Sequence, residues 1–137
     1  GASLMTAPES SGKAALEELV EGMKYYTEAN VDFLEINESC PNVAHGSSSL
    51  EAITERLEYI SQNVLRKRSR NLPVIVKFST DTAITDVEPL VDILLTLGYD
   101  GVNFGNTSTN YAAHRTALIP EEQPLFDYFS QTFGGGV

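Results

Sequence analysis

One thiol stands between two carboxamides in the stretch Asn37-Glu38-Ser39-Cys40-Pro41-Asn42. Cys40 is the only cysteine of the chain, and Pro41 steers it away from helical geometry toward extended or turn conformations. Each flanking amide can both donate and accept hydrogen bonds. A thiol so placed at a strand exit suits a small, planar, hydrogen-bonding substrate held beside a proton-transfer group. The same residue types also end strands for purely conformational reasons, because Asn, Ser and Pro are common turn formers. Two further clusters weigh against turn chemistry alone: Lys77 and Ser79, then Asn106 and Thr107, each close an apolar run with hydrogen-bonding groups. Turn formation does not select a lysine inside an apolar strand, where its charge is expensive unless an anion lies near. His45 follows Cys40 by five residues; as a cation it would favour the thiolate, and as a solvated loop residue it would do nothing.

The elements that must position these groups alternate. Helical spacing of Leu16, Leu19, Val20 and Met23 predicts a helix over 12–29, with Asn30 at its end. The run Val31–Ile36 predicts a short, mostly buried strand that leads into the Cys40 turn. Ser48 and Glu51 have the spacing of a capping box for a second helix over 50–68, with the stripe Leu50, Ile53, Leu57, Ile60 and Val64. Residues 73–79 form a β-branched run expected of a strand covered on both faces. Thr85 and Glu88 offer a second capping box for a helix carrying Leu90, Ile93, Leu94 and Leu97 and stopping at Gly98. A further strand over 101–105 leads into Asn106, and residues 2–5 have the character of a strand tail. From Tyr111 to Phe133 the pattern weakens. Such alternation implies parallel strands joined by right-handed helical crossovers, with ligands at the carboxyl ends of the strands.

Length and composition narrow the classes. The chain has 137 residues, enough for one modest domain, and 42% hydrophobic content without low-complexity tracts argues for a globular one. A net charge of −10 disfavours nucleic acid or an anionic membrane as a partner. Arg66, Lys67, Arg68 and Arg70 cluster at a helix end, where dipole complementation and solvation explain them. No apolar run approaches the roughly 20 residues that span a bilayer. A single cysteine precludes an internal disulfide and suits a reducing, cytoplasmic setting. No cluster has metal-ligand spacing.

Four ordered elements resemble the dihydroorotate dehydrogenase family, FMN-dependent (β/α)8 barrel enzymes of pyrimidine synthesis. Asn37-Glu38-Ser39-Cys40-Pro41-Asn42 resembles the family's N-x-S-[CS]-P-N loop, and Pro73-Val74-Ile75-Val76-Lys77 its P-[VL]-x-V-K strand. Residues 100–107 resemble the strand that ends in Asn-Thr, and Gly134-Gly135-Gly136-Val137 the start of a glycine-rich turn. The resemblance implies oxidation of dihydroorotate to orotate, with Cys40 as general base on one substrate carbon while hydride passes from its neighbour to FMN. It places Asn37, Asn42, Asn106 and Thr107 at the substrate. It places Lys77 and Asn106 at the flavin, the lysine charge favouring reduced, anionic flavin. A thiol serves as base only where its surroundings favour thiolate.

The family signature is mixed in this chain. Cysteine at position 40 resembles the soluble branch, whose acceptor is fumarate or NAD. The stretches 106–109 and 134–137 resemble the quinone-linked branch, whose amino-terminal segment associates with membranes. Gly105 stands where the family commonly has threonine. A closed barrel takes about 250 residues, so residues 1–137 are expected to be about half of a TIM barrel, a partial domain truncated at both ends. Its unpaired sheet edges would favour self-association. Alone, it would lack the late loops that hold the flavin phosphate and would be inactive. Other readings of the same residues are a flavin barrel acting on another dihydropyrimidine, a Schiff-base enzyme built on Lys77, and a folded fragment serving as an interaction module.

Overall fold

Two segments with one shared alternation, Leu34-Glu35-Ile36-Asn37 and Val74-Ile75-Val76-Lys77, make the centre of a sheet. The computed structural model describes residues 1–7, 9–38 and 49–133. Its elements run β1 (Ala2–Leu4), α1 (Gly12–Glu28), β2 (Leu34–Asn37), α2 (Leu50–Asn63), a 3-10 turn (Leu65–Lys67), β3 (Val74–Lys77), α3 (Ile84–Leu97), β4 (Gly101–Asn103), α4 (Tyr111–Ala117) and α5 (Gln123–Phe133). The four strands are parallel, in the order β1-β2-β3-β4. Spatial order equal to chain order, with a helix between successive strands, is the βαβ repeat of a barrel wall. The alternating α/β architecture is therefore the one expected.

Leu34 lies opposite Val74 and Ile36 opposite Val76. Successive side chains of a strand point to opposite faces, so these four share one face, and all are fully buried. There they join Met23 of α1, Leu57 and Ile60 of α2, and Leu90 and Leu94 of α3 in one core. The start of the α2 stripe departs from expectation. Leu57, Ile60 and Val64 are buried, whereas Ile53 packs only in part and Leu50 is exposed. The β3 strand is covered by helices on one face only, because Ile75 and Lys77 belong to the other, half-buried face.

Polar bonds fix how the layers meet. Ser61 of α2 donates to the Leu97 carbonyl of α3 at 2.6 Å, and the buried Tyr99 hydroxyl donates to the Leu57 carbonyl at 2.8 Å. At the start of β3, Asp100 accepts from Val74 N at 2.9 Å and from Arg68 Nη1 at 2.6 Å. Arg70 donates to the Val31 carbonyl, just past α1, at 2.6 Å and to the Thr27 carbonyl in its last turn at 3.4 Å. Arg68 and Arg70 thus make specific bonds to other elements rather than merely solvating the end of their own helix.

Helix starts differ in detail from the expected capping boxes. Ser49 is the N-cap of α2, accepting from Ala52 N at 3.3 Å, and Ser48 lies outside the described residues. Ala83 precedes α3 without a side-chain cap, and Thr85 donates to Asp86 at 3.3 Å instead. The turn before α3 is closed by the backbone, with Thr82 N bonded to Ser79 O at 3.1 Å, leaving Thr85 inside the helix. The second helix ends at Asn63 rather than 68 because the chain tightens into the 3-10 turn. The weakly patterned region after Tyr111 holds two helices, α4 and α5, joined by a two-pronged Arg115–Asp127 pair at 2.7 and 2.9 Å. No side chain of α5 is buried among the described residues. None of their helices is long and apolar enough to cross a membrane.

Gly98 ends α3 with φ +83°, its N–H bonded to Leu95 O. A Cβ there would meet nothing within 4 Å, so the cost of a side chain is conformational alone. Gly98→Ala is expected to destabilise the fold by about 1 kcal/mol, read as a lowered midpoint in urea unfolding with an unchanged slope.

Candidate active site

The face of the sheet turned away from the helices carries the polar residues. Ser3, Glu35, Ile75 and Gly101 form one row across the four strands, and Asn37, Lys77 and Asn103 form the next row toward the carboxyl ends. Ile75 crosses close to Gly101, where a Cβ would stand 3.0 Å from its Cγ2. Lys77 reaches back one row and pairs with Glu35, Nζ to Oε1 3.3 Å, with side-chain exposures of 18% and 13%. Ser3 Oγ donates to Glu35 Oε1 at 2.8 Å, and Asn103 Nδ2 donates to Oε2 at 3.2 Å. One carboxylate therefore ties together all four strands. Partial burial pushes the Glu35 carboxyl up, but the bonds from Ser3, Asn103 and Lys77 together outweigh it and hold the group below its ordinary value.

Glu35 is the anion that the lysine in an apolar strand required. Sequence reading did not single it out, nor Asn103 or Ser3. Parity puts Glu35 on the same face as Asn37 and Ile75 on the same face as Lys77, and the register that sets Asn37 opposite Lys77 then brings the carboxylate to the lysine's face. Asn37 and Lys77 are register neighbours at the ends of β2 and β3. Cys40, Asn42 and His45 lie outside the described residues, as does the glycine run 134–137.

Glu38, the residue after Asn37, has the opposite parity and faces the helices. Arg56 of α2 donates to its Oε2 through Nε at 3.1 Å and Nη2 at 2.7 Å, with side-chain exposures of 17% for Arg56 and 5% for Glu38. The backbone of Glu38 also donates to Lys77 O at 3.0 Å. The exit of β2 is thereby anchored to both β3 and α2 directly before the segment that carries Cys40.

Asn106 and Thr107 occupy the loop after β4. Thr107 N donates to the Asn106 side-chain oxygen at 2.8 Å, and Thr80 Oγ1 donates to the Asn106 carbonyl at 2.9 Å. Asp81, in the loop after β3, clamps the same segment. It accepts from the hydroxyl of buried Ser108, from Thr109 N at 2.7 Å and from Thr109 Oγ1 at 3.3 Å. Asparagine at 103 also occupies space that a side chain at 105 would need, since a Cβ on Gly105 would lie 2.6 Å from Asn103 Oδ1. The sheet edge thus presents a held ammonium, carboxamides of two strands and a braced Asn-Thr loop. No group of metal-ligating side chains occurs among the described residues.

Residues 6–127 match the family model for dihydroorotate dehydrogenase. The chain belongs to that family. Among curated relatives it is 33% identical, over 92 residues, to the catalytic subunit of dihydroorotate dehydrogenase B (NAD(+)) of Alkaliphilus metalliredigens, covering 67% of this chain and 29% of that one. It is 36% identical, over 90 residues, to the dihydroorotate dehydrogenase (quinone) of Mycobacteroides abscessus, covering 66% and 24%. The chain thus spans under a third of the length of these relatives. A crystal structure of the Eimeria tenella enzyme in complex with ferulenol superposes with a TM-score of 0.69 over 98% of this chain and 37% of that one, at 18% identity. That likeness shows the shared fold.

Asp81 gives a test of the loop clamp. The Ser108 hydroxyl chiefly holds its carboxyl below the ordinary range, against a smaller upward push from burial, with further bonds from Thr109. A carboxyl depressed in the folded state contributes stability above its unfolded value, about 3.9, and loses it as pH falls through the folded value. Asp81→Asn is expected to be less stable than the parent at pH 7 by on the order of 1 kcal/mol. The difference should shrink on acidification below about pH 4; urea midpoints at pH 7 and pH 3 check it.

Proposed function

We propose that the intact protein oxidises dihydroorotate to orotate with FMN as its cofactor. The observation that carries this reading is the Lys77 ammonium, paired with Glu35 and carried by a strand end in register with Asn37, on the polar face of a sheet in a chain of the dihydroorotate dehydrogenase family. An ammonium and neighbouring carboxamides fit a ring that bears carbonyl oxygens and gains negative charge on reduction, so the donor set suits a flavin ring. When bound, FMN supplies the hydride acceptor. Lys77 would lie against that ring and favour negative charge on it. Asn37, Asn42, Asn106 and Thr107 hold the pyrimidine and its carboxylate, with Asn106 also reaching the flavin. Cys40 would take the proton from the substrate carbon adjacent to the one that gives up hydride. A Schiff-base role would need Lys77 as a free amine, and its pairing with Glu35 weighs against that.

The cysteine at position 40 favours a soluble acceptor, fumarate or NAD, and a cytoplasmic setting over quinone and a membrane. The relatives' names include both NAD(+) and quinone enzymes, so assays with each acceptor on the intact protein separate the branches. Among the described residues β1 and β4 each have one strand neighbour, and such edges support pairing with further strands or a second copy.

A flavin absorbance spectrum of the purified intact protein tests the cofactor; a colourless, active protein would overturn it. Cys40→Ala is expected to retain flavin but reduce it with dihydroorotate 10²–10⁴-fold more slowly, on the order of a general base's contribution, and a stopped-flow loss below about threefold would remove the base from Cys40. Residues 1–137 alone, which span 37% of the solved neighbour, are expected to bind FMN far more weakly than the intact protein. Equilibrium dialysis measures this, and stoichiometric micromolar binding by the segment would contradict it.

A further inference from the structure

We infer that Glu35 holds the Lys77 ammonium in place and offsets its charge, so that the reduction potential of the flavin is set by the pair rather than by the lysine alone. The inference rests on the flavin reading above. Its basis is the geometry of the two strand rows. Glu35 and Lys77 are the only charged side chains within the four strands, and they face each other at 3.3 Å with little exposure. Water therefore screens their mutual field, and the field they project, much less than it would on the surface. Lys77 stands in the row nearer the carboxyl edge, and Glu35 one row deeper, about 7 Å along the strand for two residues. Because the Lys77 Nζ reaches back to Glu35, the edge meets a paired ammonium instead of an isolated cation.

Glu35 is also not free to turn away. Its two oxygens are engaged from β1 by Ser3 and from β4 by Asn103, while Lys77 approaches from β3. The carboxylate is a fixed negative charge, and the ammonium it holds is a fixed positive one. A surface ion pair would pay side-chain entropy to hold such a geometry; here two neutral donors on flanking strands supply the restraint. Glu35 is accordingly a positioning residue: it acts on the flavin through Lys77 and through its own charge, and it need not touch substrate.

The test uses the intact flavoprotein and two readouts that are independent of turnover: the midpoint potential of the bound flavin against reference dyes, and the dissociation constant of the flavin–sulfite adduct. Glu35→Gln should move the potential to more positive values and tighten sulfite on the order of tenfold, the scale of one unit charge in a partly buried site. Glu35→Asp, which keeps the charge, and Ser3→Ala, which removes a neutral bond, should stay near the parent in both readouts. A purely structural role would affect Ser3→Ala and Glu35→Gln alike. An unchanged or more negative potential in Glu35→Gln, with flavin retained, overturns the inference and leaves the proposed function standing. Parent protein without flavin overturns the proposed function and the inference together. Glu35→Met serves as a second uncharged variant, and if neither uncharged form retains flavin, Glu35 builds the site rather than tuning it and the inference is overturned.

Discussion

Strand parity is the constraint on which the rest of this structure depends. In β2 and β3 the same two-residue alternation sends Leu34, Ile36, Val74 and Val76 into the helices and leaves Glu35, Asn37, Ile75 and Lys77 on the other face. A one-residue slip would exchange the two sets. The ammonium and the carboxylate would then enter a core of Met23, Leu57 and Ile60 without hydrogen-bonding partners, at a cost of several kcal/mol each. Register and site are consequently selected by the same energy. The packing that makes the sheet fold also delivers the two charges to one face.

The strand ends follow a second logic, in which the scaffold reaches out to brace its own loops. Glu38 breaks from the polar face and pairs with Arg56 of α2. Such a pair, almost fully enclosed, is poor evidence for stability, because desolvation consumes much of its attraction. What it supplies is a fixed direction for the chain as it leaves β2. Asp81 does the corresponding task after β3 with hydroxyl and backbone donors from the next loop. Functional loops set on a rigid sheet are the ordinary arrangement in this architecture, and here the last described residue of the β2 exit and the loop after β3 are each tied to an element other than their own strand.

Much of the architecture was legible in the sequence because hydrophobic period is a local property. The helices of Leu19-Val20-Met23 and Leu57-Ile60-Val64, the Gly98 stop and the three later strands could be read from spacing alone. Helix starts were less legible. A capping box is only a spacing, and at Thr85 the backbone turn closed two residues earlier and took the helix start with it. The two helices after Tyr111 were missed because their apolar residues remain on the surface, so no buried stripe marks them. Lys77 announced itself by being out of place; Glu35 did not, since a carboxylate near the end of a strand is unremarkable until its neighbour across the sheet is known. Pairing between strands 40 residues apart in sequence is tertiary information, and one chain read alone does not contain it in local form.

Gly105 has a bearing on how this site can change over generations. The absent side chain at 105 is what lets the Asn103 amide lie where it does and donate to Glu35. A side chain at 105 would press on the tip of that amide and make it turn, and a turned amide would hold Glu35 less well. The two positions are therefore coupled: a change at 105 is felt at Glu35 through residue 103, and a shorter residue at 103 would leave room at 105.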